Sequence, residues 1–105
     1  MDLKDKVVVV TGGGNGIGKA LCERFAAEGA RHVAVVDLEL EAAQAVADTL
    51  GGSAHGVDVR DESQIATMVA DVEREQGQIN LFCSNAGIIK TDAPQWWATS
   101  ASNET

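Results

Sequence analysis

Two hydrophobic patterns alternate along the chain. Short runs of consecutive apolar residues, rich in β-branched types, are typical of strands buried on both faces of a parallel sheet. The stretches between them repeat apolar residues at helical spacing and end at glycines, which predicts amphipathic helices. The predicted strands are Val7–Val10, Val33–Val36, Ser53–Val57 and Leu81–Ser84. The predicted helices are Gly16–Glu28, Glu39–Leu50 and a third that begins after Asp61 and ends near Gly77.

Two local features sharpen the helix predictions. Ile17, Leu21 and Phe25 follow one another at four-residue steps in the first helix, which predicts an apolar stripe facing the core. Asp61 stands where an N-cap of the third helix would, and Gln64 three residues later completes a capping-box pattern.

The alternation of strand and helix predicts an α/β fold. We expect a Rossmann-type doubly wound parallel sheet of about four strands with three helices, in three α/β/α layers. No linker divides the chain, so residues 1–105 are predicted to form a single domain. The segment 92–105 yields no predicted element, and its Trp96 and Trp97 are expected to pack against further strands rather than line a substrate pocket.

A turn or polar residue follows each predicted strand. Gly12, Asp37, Asp58 and Asn85 come after the four strands in order. Parallel strands end at one edge of the sheet, and open α/β sheets bind their ligands outside that edge. The sequence therefore predicts that four separate segments converge on one ligand site.

The segment Thr11–Gly18 reads TGGGNGIG and holds five glycines between a strand and a helix. Such a loop lets the backbone approach a phosphate, and the helix start offers free N–H groups to it. The alternative is a plain flexible turn, which one or two glycines would satisfy. The phosphate loop of nucleoside triphosphatases also fits residues 13–19, but Ala20 stands where that loop needs a hydroxyl to bind magnesium.

Asp37 ends the second strand, nineteen positions after Gly18. A carboxylate there can accept hydrogen bonds from both hydroxyls of an adenosine ribose, and it would repel a 2′-phosphate. The next residue, Leu38, is also expected to contact the cofactor, and it is not basic. The sequence therefore predicts NAD as the cofactor rather than NADP, although capping of the following helix is a second role open to Asp37.

The charge balance narrows the class of partner. Sixteen acidic residues face 8 basic ones, for a net charge of −8, and no cluster of Lys and Arg occurs. That field disfavours nucleic acid and anionic membranes. We find no signal peptide or membrane-spanning stretch, so we expect a cytoplasmic protein.

The cysteines and histidines suggest no metal site. Cys22 and Cys83 are not spaced as a redox motif, and we expect two buried thiols. His32 and His55 lack ligand spacing and are expected to be surface or loop residues.

Taken together, Thr11–Gly18 in the pattern T-G-x-x-x-G-x-G, then Asp37, Asp58-Val59 and Asn85-Ala86-Gly87, resemble the short-chain dehydrogenase/reductase family. The resemblance covers residues 5 to about 91. It implies an oxidoreductase that transfers hydride between nicotinamide and an alcohol or ketone. It also implies a small-molecule substrate and a homo-oligomer for the complete enzyme.

The same resemblance implies individual roles around the cofactor. Gly12, Gly16 and Gly18 would shape the pyrophosphate turn, which Asn15 and Ile17 would line. Asp58 would accept a hydrogen bond from the adenine amino group, beside the Val59 backbone. Asn85 would brace the central strand and, with Ala86 and Gly87, pack near the adenine ribose.

No catalytic residue can be assigned, because the family's Tyr and Lys lie beyond position 105 and this chain contains no Tyr. We therefore expect the N-terminal cofactor-binding part of a longer enzyme, inactive alone. A non-catalytic NAD-binding regulatory or scaffold module is the alternative. In the chain on its own, without the later strands that the resemblance implies beside it, Leu81–Ser84 is expected to form an exposed apolar edge prone to pairing with other chains.

Overall fold

A computed structural model describes residues 2–84 and the backbone of residues 87–90. The strands are β1 (Val7–Thr11), β2 (His32–Asp37), β3 (Ser53–Gly56), β4 (Leu81–Ser84) and β5 (Gly87–Lys90). The helices are α1 (Gly16–Ala27), α2 (Leu40–Leu50) and α3 (Glu62–Gln76). The four predicted strands and three predicted helices are confirmed, with small shifts at their ends. The predicted segment 92–105, including Trp96 and Trp97, lies outside the described residues.

The strands form one sheet in the order β3-β2-β1-β4-β5. The first four are parallel, and Val8 of the central β1 lies opposite Val33 of β2 and Leu81 of β4. β5 runs antiparallel to β4, with Phe82 opposite Ile89. The fifth strand was not predicted. The expectation that Leu81–Ser84 forms an exposed edge was wrong, because β4 has a partner strand on each side.

The helices lie on both faces of the sheet. One face packs against α1 and α2, where Val8, Val10 and Val35 meet Cys22 and Phe25. The other face packs against α3, through apolar residues that alternate with the first set along the same strands. Every residue of β1 is therefore buried, and the predicted three-layer α/β/α architecture is confirmed.

The buried face of α1 differs from the predicted stripe. Ile17 is 79% exposed, and the buried positions are Gly18, Cys22 and Phe25. The cause is a close contact at Gly18, where a Cβ atom would overlap the carbonyl oxygen of Gly12. Turning Gly18 toward the strand end leaves the neighbouring Ile17 facing solvent.

Both cysteines are buried free thiols, as predicted. Burial raises the pKa of Cys22 to about 12, and it also raises the pKa of Cys83. Both thiols are therefore protonated at neutral pH, and a protonated thiol is a poor nucleophile. They contribute to packing between α1 and the sheet.

The histidines lie on strands, so the expectation of surface or loop positions was wrong. The Nε2 atoms of His32 and His55 each lie 2.8 Å from the hydroxyl oxygen of Ser53, on the face that packs against α3. Both imidazoles are partly buried. Side chains alternate between the two faces of a strand, and the register of β2 against β3 places both imidazoles on the same face. This pairing depends on that register, which the sequence pattern alone does not give.

This cluster predicts that stability falls on mild acidification. Burial lowers the pKa of His32 and of His55; His55 and Arg31 lower that of His32 further, while Glu75 and Asp71 act in the opposite direction. A lowered folded-state pKa means that the unfolded chain binds the proton more readily. The contribution of the neutral imidazoles to stability is therefore complete above the pKa that histidine has in the unfolded chain, about 6.5. It is lost as the pH falls through the lowered pKa of the folded state.

We therefore expect the melting temperature to fall between about pH 7 and pH 5. His55→Gln, which retains a side chain able to bond Ser53, should flatten that dependence. Thermal melts of both proteins across the interval would test this. An unchanged slope in the variant would contradict a contribution of His55 to the pH dependence.

Candidate cofactor site

The carboxyl ends of β1, β2 and β3 lie side by side. Thr11 is opposite Val36, and Asp37 is opposite Gly56, so the segments that leave these strands emerge at one edge. The Gly14 N–H donates a hydrogen bond to Asp37 Oδ2 at 3.0 Å. The structure thus brings together the glycine loop and the acidic residue that the sequence pointed to.

Three glycines shape the loop for two different reasons. Gly12 and Gly16 have φ angles of 68° and 54°, in the left-handed region that favours glycine. Gly18 is needed for space, since a Cβ there would also lie 2.6 Å from the Gly12 carbonyl carbon. The N-terminus of α1 is consequently held directly against the end of β1.

The first turn of α1 is open to a ligand. Its N-cap, Asn15, makes no side-chain capping bond, and the first helical hydrogen bond is the one from Lys19 N–H to Asn15 O, at 3.1 Å. Within residues 2–84, no acceptor is found for the N–H groups of Gly16, Ile17 and Gly18. These donors and the positive end of the helix dipole can hold an anion such as a phosphate.

Helix α3 provides a contrast. The Asp61 carboxylate accepts hydrogen bonds from the N–H groups of Ser63 and Gln64, which confirms the predicted N-cap. The predicted capping box was wrong in its second half: Gln64 Oε1 accepts from Asp58 N–H at 2.9 Å, because the Asp61 N–H already bonds the Asp58 carbonyl. This helix start is closed by its own side chain, whereas that of α1 is not.

Asp37 is held by two backbone donors. Gly14 N–H donates to Oδ2, and Glu39 N–H donates to Oδ1 at 3.1 Å. A carboxylate has about four lone-pair positions, so two remain, and a ribose diol offers two hydroxyls. No Lys or Arg in the described part of the chain forms an ion pair with Asp37.

Large hydrophobic side chains are exposed around this edge. They are Ile17 (79%), Leu38 (67%), Leu40 (50%) and Val59 (50%). All four lie within six residues of the carboxyl end of β1, β2 or β3, on the segments that lead into or begin the next helix. The sequence pointed to three of them; Leu40 was missed because its spacing is that of an ordinary helix residue.

Asp58 is engaged by its own neighbour. Arg60 donates from Nε to Oδ1 and from Nη2 to Oδ2, each at 3.0 Å. The hydrogen bond from Arg60 lowers the pKa of Asp58. An adenine amino group would therefore share this carboxylate with Arg60, a competition that the sequence did not reveal.

The remaining predicted residues are only partly described. Asn85 and Ala86 lie outside the described residues, while Gly87 begins β5 opposite Ser84. Thr11 Oγ1 donates to the Cys83 carbonyl at 3.4 Å and joins the ends of β1 and β4. Across residues 2–84, no group of three or more His, Cys, Asp or Glu side chains could hold a metal ion, and no helix could span a membrane.

Comparison with known proteins decides the family. The family model for short-chain dehydrogenases matches residues 6–103, which is most of the chain. The chain belongs to the short-chain dehydrogenase family. This is a family of oxidoreductases that use nicotinamide cofactors and act on small molecules.

Individual members are similar in sequence and in fold. The chain is 39% identical over 91 residues to sorbitol dehydrogenase from Cereibacter sphaeroides, covering 85% of this chain and 35% of that protein. A citronellol catabolism dehydrogenase from Pseudomonas aeruginosa PAO1 superposes with a TM-score of 0.69 at 36% identity, over 77% of this chain and 36% of that one.

A crystal structure named ribose-5-phosphate isomerase, from Brucella melitensis 16M, superposes with a TM-score of 0.75 at 32% identity. The match covers 82% of this chain and 33% of that one. This short-chain dehydrogenase thus spans about a third of the length of the relatives it matches.

Proposed function

We propose that the described residues form the NAD-binding part of an oxidoreductase that transfers hydride between nicotinamide and an alcohol or ketone. The observation that carries the proposal is the Asp37 carboxylate, bonded to the glycine loop and unpaired with any described cation. The dehydrogenases among the similar proteins support the reaction class. Nicotinamide supplies the hydride acceptor or donor when the cofactor is bound.

The residues present fit a dinucleotide. The open N–H groups of Gly16, Ile17 and Gly18 would hold the pyrophosphate, and the two remaining acceptor positions of Asp37 would hold the adenosine ribose. The exposed apolar surfaces of Leu38 and Val59 would cover the adenine ring. Each of these contacts binds or orients the cofactor, and none of them moves a proton.

The cofactor preference follows from charge. The 2′-phosphate of NADP would face the Asp37 carboxylate, and repulsion between two unit charges about 4 Å apart is about 1–4 kcal/mol, depending on the effective dielectric constant. We therefore expect NADH to bind at least about tenfold more tightly than NADPH.

Titrating the purified chain with NADH and NADPH, by nicotinamide fluorescence and by calorimetry, tests the proposal. The preference should narrow as salt is added, because repulsion between exposed charges is screened. Tighter binding of NADPH would overturn the NAD assignment. Failure of both cofactors to bind would overturn the assignment of the glycine loop.

A further inference from the structure

We propose that Gly14, which occupies a variable position of the glycine motif, positions Asp37 and thereby sets the preference for NADH over NADPH. The inference rests on the proposed function, because it concerns the same ribose contact. It adds that the missing side chain at Gly14, together with the small Ala42 on α2, determines where the carboxylate is held.

Backbone conformation does not explain why residue 14 is a glycine. The described glycines with positive φ are at positions 12, 16, 29, 51 and 77. Gly14 is not among them, so its φ angle is available to any residue. The requirement at this position must come from space rather than from the dihedral angles.

The space at Gly14 is closed by α2 and by Asp37 itself. A Cβ atom at residue 14 would lie 2.7 Å from Ala42 Cβ, 3.0 Å from the Ala42 carbonyl carbon and 3.0 Å from Asp37 Oδ2. The first contact is shorter than two carbon atoms tolerate, and Ala42 has no flexible side chain that could move aside. Any side chain at position 14 would therefore force the loop away from α2.

Movement of the loop would break the contact that fixes the carboxylate. Gly14 N–H is one of only two donors found for Asp37 in the described chain, and the other, Glu39 N–H, lies in the turn that follows Asp37 itself. The Gly14 bond is thus the one that ties Asp37 to the phosphate-binding loop. Losing it would leave the carboxylate free to turn away from the ribose.

Gly13 offers a matched control in the same loop. A Cβ there would lie 2.8 Å from Val35 Cγ1 and 3.0 Å from Cys22 Sγ, both in the apolar core beneath the loop. Its N–H donates to the Val36 carbonyl and extends the sheet. Overlap at Gly13 is similar in size to that at Gly14, but it meets the core and not Asp37.

The test compares NADH and NADPH affinities of four proteins: the native chain, Gly14→Ala, Ala42→Val and Gly13→Ala. Gly14→Ala should weaken NADH binding about tenfold and change NADPH binding by less than about threefold. Ala42→Val fills the space between Gly14 and α2 from the helix side, so it should also weaken NADH binding more than NADPH binding. It replaces Gly14→Ala in the test if that variant fails to fold. Gly13→Ala should lower the melting temperature and keep the native ratio of affinities.

Two further measurements separate the possible failures. In Asp37→Asn protein, adding Gly14→Ala should change the NADH affinity no further, since Gly14 acts through the carboxylate. The Gly14 amide proton should shift upfield on Asp37→Asn in spectra of the ligand-free chain. That shift tests the coupling even if the native chain prefers NADPH and the proposed function fails.

An unchanged NADH:NADPH ratio in folded Gly14→Ala or Ala42→Val would overturn the inference. So would a Gly13→Ala variant that lowers the ratio equally, because that would assign the effect to general loosening of the loop.

Discussion

Asp37→Asn is expected to weaken NADH binding by about 30- to 100-fold and to erase the preference over NADPH. The substitution removes the charge that strengthens two hydroxyl contacts, a loss of about 2–3 kcal/mol. It also removes the repulsion toward a 2′-phosphate, so NADPH binding should improve. Because Asn has nearly the same shape, the packing between the loop and α2 should be retained.

Parallel titrations with the two cofactors measure both effects. Glu39→Gln is the matched control. Glu39 is exposed and lies two positions after Asp37, so the substitution also removes one negative charge close to the site. If the contact at Asp37 decides the preference, Glu39→Gln should leave the ratio of affinities near its native value. An equal change in both variants would attribute the preference to the overall charge of −8 rather than to one carboxylate.

The features that could be predicted from the sequence depend on local pattern. A run such as Val7–Val10 can only be buried on both faces, and a run followed by glycines marks where the strand must end. Since the carboxyl ends of parallel strands share an edge, the sequence predicted that the glycine loop and Asp37 would lie at the same edge of the sheet. The position of the candidate site could therefore be predicted from the sequence.

The features that escaped prediction depend on contacts between distant segments. The close approach of Gly18 to Gly12 rotates α1 and exposes Ile17, although helical spacing placed Ile17 in the core. The pairing of His32 and His55 through Ser53 requires the register of β2 against β3. Periodicity reports which face of an element is apolar, but it does not report how two elements meet.

The hydrogen-bond partners of the candidate site were also hidden. Asp58 was expected to be available to adenine, yet Arg60 binds both of its oxygens. Gly14 drew no attention as a single residue, since any strand-to-helix turn favours glycine. Its importance is evident only from the distance to Ala42, a residue whose sequence context is that of an ordinary helix start.

Gly18→Ala is expected to be the most damaging single-methyl change in the cofactor loop. The new Cβ would overlap the Gly12 carbonyl oxygen and lie 3.0 Å from Gly13 Cα, and neither backbone atom can rotate away. Relief requires α1 to move off the end of β1, where it packs through Cys22 and Phe25. We expect a loss of about 3 kcal/mol or more in the free energy of unfolding.

For a domain of this size, that loss corresponds to a fall of more than about 10 °C in the melting temperature. Gly16→Ala tests the interpretation, because nothing lies within 4 Å of a Cβ there and only its positive φ opposes the change. Its cost should be about 1 kcal/mol. In thermal melts, the melting temperature of Gly16→Ala should therefore lie well above that of Gly18→Ala.

Gly52→Ala separates stability from binding. A Cβ at Gly52 would overlap the Val33 carbonyl oxygen near the amino-terminal ends of β2 and β3, far from the cofactor loop. We therefore expect a fall in melting temperature comparable to that of Gly18→Ala. Excess NADH should still raise the melting temperature of Gly52→Ala but not that of Gly18→Ala, whose displaced helix no longer presents its N–H groups to the pyrophosphate. If Gly18→Ala melted like Gly16→Ala and kept its response to NADH, the close contact between α1 and the loop could not be what holds the phosphate site in shape.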